Sequence, residues 1–465
     1  MFSKETKARL DEKLTAKCQE ALVPGMALVI SQRGEPVYEN YYGYRNIAKK
    51  LPVTSDTIFG VASITKSLTA LAVMQLRDAG KLRIEDKVLD WLPALKLPKA
   101  DYAAKLEIRH LMSHTSGLPG MSLVHQARSS SILEDPDGEY LFGKVPRNPD
   151  KVIRNVYDLI EAIGNTDFTL LGPPGSVFNY SNEGFALLQA IIERASGTDF
   201  IDYIERNIFE PLGMKNAYFL TESITDKDNV TELYAYKKGK QDIFHSPAWW
   251  DVADIYTNGS LKCSPADLMK YIDVYRLNGI VDGQRIVSEK SIQEMTAPVA
   301  VLPTSGSYGY GIDINRFQQI DHFGHGGSIK GVSANFQVIK ELDITASILI
   351  NMAEVPAEAM LLSAIRTLLE LPEKAETTVV NYPLSSEALR KFIGNYLSAE
   401  GHEAAVTMND VGLTLHVESQ ATAIYPTSEN DFLSATGDRY HFMMDGDKVT
   451  GIFIGKRIIP KVREA

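Results

Sequence analysis

The sequence predicts an α/β protein: one antiparallel sheet flanked by helices, a helical insertion, and a small all-β unit at the C-terminal end. Three observations predict it. Two β-patterned runs come early, at 26–31 and 37–42, and four more come late, at 308–315, 321–325, 333–340 and 344–351. The long block between them is helix-rich, which is how one sheet with a helical insertion reads. Past residue 371 a segment rich in charge, Thr and Pro leads into short strands at close spacing, as in a small barrel or sandwich.

Each element has a local cause. Residues 4–22 carry Leu10, Leu14, Cys18 and Ala21 at helical spacing, and Pro24-Gly25 stops that helix. A turn at Gly34 joins the first two strands. The apolar run from Phe59 to Met74 predicts a mostly buried helix that ends at Gly80. Within the insertion, about 84–250, short helices are expected at 106–112 and 151–164, a rigid turn at Gly172-Pro173-Pro174-Gly175, and an apolar helix over 182–196 stopped by Gly197. Helices over 265–277 and 356–371 frame the late strands. Residues 372–383 read as a linker, and strands are expected near 404–407, 412–418, 421–426, 439–444, 448–454 and 457–461. The expected division is therefore 1–371, linker 372–383, and 384–465.

Composition excludes several functions. At 465 residues, 44% hydrophobic and 23% charged, the chain is globular and large enough for two or three domains. A net charge of −11 argues against nucleic acid or an anionic membrane surface as partner. No run of 18 apolar residues predicts a membrane span, and the first residues lack a signal-peptide h-region, although a removed leader stays open. Two distant cysteines, Cys18 and Cys263, make no disulfide framework and fit a reducing cytoplasm. No metal-ligand spacing is present, so neither metal nor cofactor is expected.

Ser63-Ile64-Thr65-Lys66 is the only S-x-x-K in the chain, and it opens the longest apolar helical run. A three-residue offset puts Ser63 and Lys66 on one helical face. A helix start favours a developing alkoxide, and a buried lysine loses affinity for its proton and becomes a base. A hydroxyl with an amine beside it can form an acyl-enzyme without a His-Asp pair. Y-x-N occurs four times, at Tyr38, Tyr44, Tyr180 and Tyr256. Position favours Tyr180-Ser181-Asn182, which follows the stiff Pro-Pro-Gly turn and precedes a helix. Beside a lysine cation the Tyr180 phenol is expected to fall in pKa and serve as a base, with Asn182 bonding Lys66 and a substrate carbonyl. The third element is His325-Gly326-Gly327-Ser328, placed at the end of strand 321–325. Its glycines allow a ligand backbone to lie close, and the Ser63 and Ser328 amides then form a two-donor oxyanion hole. His114 reads as a loop histidine bonded to backbone, and Trp249-Trp250 as packing rather than a cleft wall.

In this order, S-x-x-K, Y-x-N and H-x-G resemble the serine β-lactamase-like superfamily, in particular the class C β-lactamase-related hydrolases. Those include D-aminopeptidases, DD-carboxypeptidases and family VIII esterases. Further blocks carry the resemblance over about 20–370. They are Gly80 to Val88, Ile108 to Pro119, Phe209 to Met214, and Asn258-Gly259-Ser260-Leu261 before Ser264-Pro265-Ala266-Asp267-Leu268. The resemblance implies a class C β-lactamase-like fold and a Ser63 nucleophile activated by Lys66 and Tyr180. It also implies that Tyr180 protonates the leaving group, Asn182 orients substrate, and the Ser63 and Ser328 amides hold the oxyanion. Where β-lactamases and typical penicillin-binding proteins carry the lysine of K-T-G, this chain has His325, which attracts a carboxylate weakly. That departure lowers the expectation of efficient β-lactamase or carboxypeptidase activity.

The final β unit, with Phe392-Ile393-Gly394-Asn395-Tyr396, resembles the lipocalin-like barrels of some peptidases of this group. There such barrels shape the site and mediate assembly, so a homo-oligomer is an open partner state. The function implied is a serine hydrolase acting on a small-molecule or peptide substrate, foremost a peptidase or amidase. The alternatives are a carboxylesterase with promiscuous β-lactam hydrolysis and a non-catalytic or penicillin-binding sensor.

Overall fold

The structure is a computed structural model that describes residues 2–143, 152–372, 382–409, 412–417 and 420–462. Its frame is a nine-stranded antiparallel sheet in which the two groups of strands meet. Gly25–Gln32 lies against Ile344–Ile350, with Met26 opposite Ile350 and Gln32 opposite Ile344. On one side of that seam follow Glu35–Asn46 and Leu51–Pro52, and on the other Val332–Ile339, Ile320–Ile329, Asp313–Phe317 and two short strands.

Both faces of the sheet are covered, so its central strands are apolar on alternate and intervening positions alike. Met26, Leu28, Ile30, Ile348 and Ile350 pack under the helices Lys4–Glu20 and Ala357–Leu368. Ala27, Ala334, Phe336, Val338 and Leu349 face the core of Thr65–Asp78, Asn182–Ser196 and Pro265–Arg276. Ser3 caps the first helix by accepting the Thr6 N–H, and Leu10, Leu14 and Cys18 are its buried stripe.

Several sequence expectations need correction. The Ser63 helix begins as a 3₁₀ turn, Ala62–Ile64, before the α-helix Thr65–Asp78. The expected helix 151–164 begins at Val156, because Asn155 caps it through the Tyr157 and Asp158 N–H groups; position 151 lies outside the described residues. The expected strand 308–315 is broken into Ser307–Tyr308 and Asp313–Phe317. Gly311 turns there with a φ of 70°, and a Cβ on it would stand 2.8 Å from the Lys66 carbonyl oxygen. The strand expected to end at His325 runs on to Ile329, so His325 to Ser328 lie inside it.

Eight strands close nearly into a barrel after residue 394. Neighbours pair in sequence order, and Tyr396 bridges to Lys461 across the seam. Two strands, Gly394–Leu397 and Asp431–Ser434, add to the six expected. Phe392, Tyr396, Phe432 and Phe442 fill the interior. Most of the expected linker, 373–381, lies outside the described residues. Among the described residues no helix is long and apolar enough to cross a membrane.

Candidate active site

Ser63 sits in the 3₁₀ turn that enters the buried helix Thr65–Asp78. Ala62, just before it, is held at a left-handed φ of 46°, an unfavourable conformation for a residue with a Cβ. Lys66 follows one turn on, with its side chain wholly buried. Its Nζ stands 3.1 Å from Ser63 Oγ and donates to the Asn258 carbonyl at 2.7 Å. Burial, helped by the charges of Arg457, Arg128 and Lys456, holds the Lys66 pKa well below that of an ordinary lysine.

Tyr180 completes the group. Its ring lies 4.9 Å from Lys66 Nζ, and its phenol interacts with the Ser63 side chain. Here the sequence expectation fails. Burial raises the Tyr180 phenol above its usual pKa, and the opposing pulls of Ser63 and Arg457 are smaller. Burial thus holds the proton on Tyr180 and loosens it on Lys66. Asn182 also departs from expectation. It lines the cavity, yet among the described residues its side chain makes no hydrogen bond, and the Asn258 carbonyl occupies the place beside Lys66.

His325 is buried and has both ring nitrogens engaged. Nδ1 donates to the Gly326 carbonyl at 2.6 Å, which leaves Nε2 to accept from the Tyr308 hydroxyl at 3.0 Å. Burial pushes its pKa down to about 4, so it is uncharged at neutral pH. Gly327 explains the pair of glycines. A Cβ there would lie 2.1 Å from the Val61 carbonyl oxygen and 2.9 Å from the Ser63 amide nitrogen. The strand backbone thus runs directly against the Ser63 turn. Pairing with Asp313–Phe317 stops at Gly324, so from His325 to Ile329 one strand edge is unpaired and borders the cavity. That cavity is about 1020 Å³ and also takes in Asn258, His125, Arg128, Lys456 and Arg457.

His114, expected as a loop histidine bonded to backbone, is bonded so: its Nδ1 accepts the Ser181 N–H at 3.1 Å, and its ring lies tilted beside Tyr180 with ring centres 4.1 Å apart, so it props the Tyr180 segment from within. Other residues at the site were not picked out in the sequence. Asn258 belongs to Tyr256-Thr257-Asn258, a Y-x-N copy with no assigned role, and it contributes a backbone carbonyl. The barrel hairpin contributes most. The Tyr180 N–H donates to the Lys456 carbonyl at 2.9 Å, the Ile458 N–H donates to Asn179 Oδ1 at 2.9 Å, and the Arg457 guanidinium lies 5.1 Å from the Tyr180 ring. Phe453 and Ile458 share one apolar cluster with Phe178, Tyr180 and Tyr308. No sequence spacing links residues nearly 280 apart. Trp249 and Trp250 do not border the cavity: Trp250 donates to Asp135 Oδ2, and Trp249 packs on Gly60. Among the described residues no acidic, His or Cys group is arranged to hold a metal ion.

The Beta-lactamase family model matches residues 10–368. The chain is 24% identical over 435 residues to Penicillin-binding protein 4* of Bacillus subtilis (strain 168), over 87% of this chain and 86% of that protein. It is 25% identical over 329 residues to a D-aminopeptidase of Gluconobacter oxydans (strain 621H), over 70% of this chain and 55% of that protein. Among solved structures, the octameric penicillin-binding protein homologue from Pyrococcus abyssi is similar with a TM-score of 0.71 at 27% identity, over 98% of this chain and 99% of that one.

Proposed function

The chain belongs to the beta-lactamase family, and from that premise we propose that it is a serine hydrolase that cleaves an amide bond through a Ser63 acyl-enzyme. The observation that carries the proposal is the wholly buried Lys66 amine, 3.1 Å from Ser63 Oγ, whose hold on its proton burial weakens. In this reading Lys66 takes the Ser63 proton as Oγ bonds to the substrate carbonyl carbon. The Ser63 and Ser328 N–H groups stabilise the oxyanion. The Tyr180 phenol gives its proton to the departing nitrogen as the C–N bond breaks, and Lys66 returns the first proton to Tyr180. Water then attacks the ester, releasing the acid and restoring Ser63.

The roles differ from the shared base expected in the sequence. A phenol whose pKa is raised keeps its proton, so it is not available as a base but carries a proton that can be given to a departing amine. An amide leaving group needs that proton more than an ester does, which favours a peptidase or amidase. Two further features suit a peptide. The unpaired edge from His325 to Ile329 offers backbone groups to an extended chain. The Asn258 side-chain amide is buried with neither end partnered among the described residues, and it borders the cavity, where a peptide unit would satisfy both ends. Asn182 would add a second amide.

We further propose that 1–371 is the hydrolase unit, 372–383 a linker, and 384–465 a barrel that walls the site. A homo-oligomer and a reducing, cytoplasmic setting complete the proposal. The latter suits Cys18 and Cys263, both buried thiols without a disulfide. The test compares a D-amino-acid anilide, a short-chain nitrophenyl ester and a chromogenic cephalosporin, with Ser63→Ala as blank. Dominant anilide turnover supports the amidase reading. Turnover of the ester alone replaces it with an esterase.

A further inference from the structure

The cations around the cavity are not equivalent. Lys456 is paired with Asp313, and Arg457 Nε donates to Glu400 Oε2 at 2.6 Å. Each has its charge answered within the protein. Arg128, at the end of the short helix Leu123–Ala127, does not. Its guanidinium makes no hydrogen bond and no ion pair to a described residue, and its Nε is fully enclosed without an acceptor. The carboxylate acting most on it is Asp251, but Asp251 is committed elsewhere: Lys262 Nζ and the Thr221 hydroxyl both bond its Oδ1. Burial lowers the Arg128 pKa only to about 10, so the group remains a cation at neutral pH.

Arg128 is half-buried, and a guanidinium with its Nε enclosed and no acceptor is costly to leave unpaired; a planar carboxylate is the group its fork of N–H donors matches best. Arg128 borders the same cavity as Ser63, Tyr180 and Asn258, and its charge acts on Lys66. His325, at the position where the resemblance to β-lactamases and typical penicillin-binding proteins leads one to expect a lysine, is neutral and has both nitrogens engaged, so it leaves an anion unrecognised.

We propose that Arg128 is a substrate-recognition residue that binds a carboxylate, so that the preferred substrate is an anionic amide rather than a neutral one. The inference rests on the amidase reading for its substrate class. The carboxylate can come from the C-terminus of a short peptide or from an acidic side chain beside the scissile bond, and both present the same group to Arg128.

The test separates binding from turnover. In a Ser63→Ala background, calorimetry compares an N-acetyl dipeptide, its C-terminal amide, and an N-acetyl-glutamyl dipeptide amide, with Arg128 intact and with Arg128→Gln. A charge-assisted hydrogen bond of this kind corresponds to about ten- to a hundred-fold in affinity. The expected result is a loss of that size with Arg128→Gln on a carboxylate ligand, no change for the neutral amide, and partial recovery with Arg128→Lys. Loss confined to the first ligand identifies a terminal carboxylate, and loss confined to the third an acidic side chain. An equal loss on all three, or none, overturns the proposal. Turnover of the three chromogenic substrates by the single Arg128→Gln variant reports separately on the amidase reading. Circular dichroism shows that the Arg128→Gln variant is folded.

Discussion

Phe453→Ala tests whether the barrel holds the active site in shape. Phe453 is fully buried, 6.3 Å from the Phe178 ring, in the cluster that contains Tyr180. Truncating a packed phenylalanine costs about 3–5 kcal/mol. That loss falls at the junction, because the barrel interior is a separate cluster around Phe392 and Phe442. Removing residues 384–465 altogether takes away Phe453 and Ile458, at ~1.5–3 kcal/mol each, and two hydrogen bonds to the Asn179-Tyr180 segment, at ~1 kcal/mol each, for roughly 5–8 kcal/mol. The Tyr180 segment should therefore lose its fixed position while Ser63 and Lys66, on the buried helix, keep theirs. A misplacement of about 1 Å can cost ~10²-fold in rate, so Phe453→Ala should lower kcat by about ten- to a hundred-fold.

A second signature follows from the sign of the Tyr180 shift. Burial raises its phenol, so exposing the ring brings the pKa back toward about 10. The alkaline limb of the pH–rate profile should move to lower pH. Both readings come from one chromogenic anilide assayed across pH, with circular dichroism to show that the variant is folded. A folded Phe453→Ala protein with unchanged kcat and an unmoved alkaline limb would refute the coupling.

The remaining predictions are more local. Ser63→Ala should abolish turnover of every substrate cleaved, read as absence of product against the wild type. Tyr180→Phe should lower kcat by about two to four decades, the scale of a lost general acid, and more on an anilide than on an ester, as paired rates will tell. Gly327→Ala should displace the strand from the Ser63 turn, since its Cβ would stand 2.1 Å from the Val61 carbonyl oxygen; burst kinetics should then show acylation lost. Glu183 is buried, and burial raises its pKa to about 8 from 4.5. Between those values the folded state binds the extra proton, so this group makes stability fall as pH rises, by at most about 1.4 kcal/mol per pH unit. Glu183→Gln should remove that slope, and urea unfolding of both proteins at about pH 5 and about pH 8 checks it.

Much of this was legible in the chain, because it depends on local pattern. The helix Asn182–Ser196 follows from a Ser181 cap that accepts the Gly184 N–H and from Gly197 beyond it. Ser63 and Lys66 meet because a helical turn brings them together, whatever surrounds it. The early hairpin and late strands were readable as one sheet, since β-branched, apolar runs fit no other element as well. The β-lactamase-like α/β fold and the final barrel, both expected in the sequence, are the fold that the family match and the Pyrococcus abyssi structure support. The strand through His325 was cut short because Gly-Gly reads as a turn signal, whereas here glycine is needed for close approach to Ser63.

The sequence by itself pointed to Ser63, Lys66 and Tyr180, the residues of the proposed mechanism, and to the sheet beside them, since each is marked by a pattern within a few residues. Only the tertiary structure decided in which direction their proton affinities shift. Neighbouring charge suggested a low Tyr180 phenol, but burial raised it, and desolvation depends on atoms from every part of the chain. The same reason hid Asn258 beside Lys66, Arg128 without an acceptor, and the Lys456–Ile458 hairpin behind Tyr180. Each is a meeting of residues far apart in the chain, and no local periodicity encodes it.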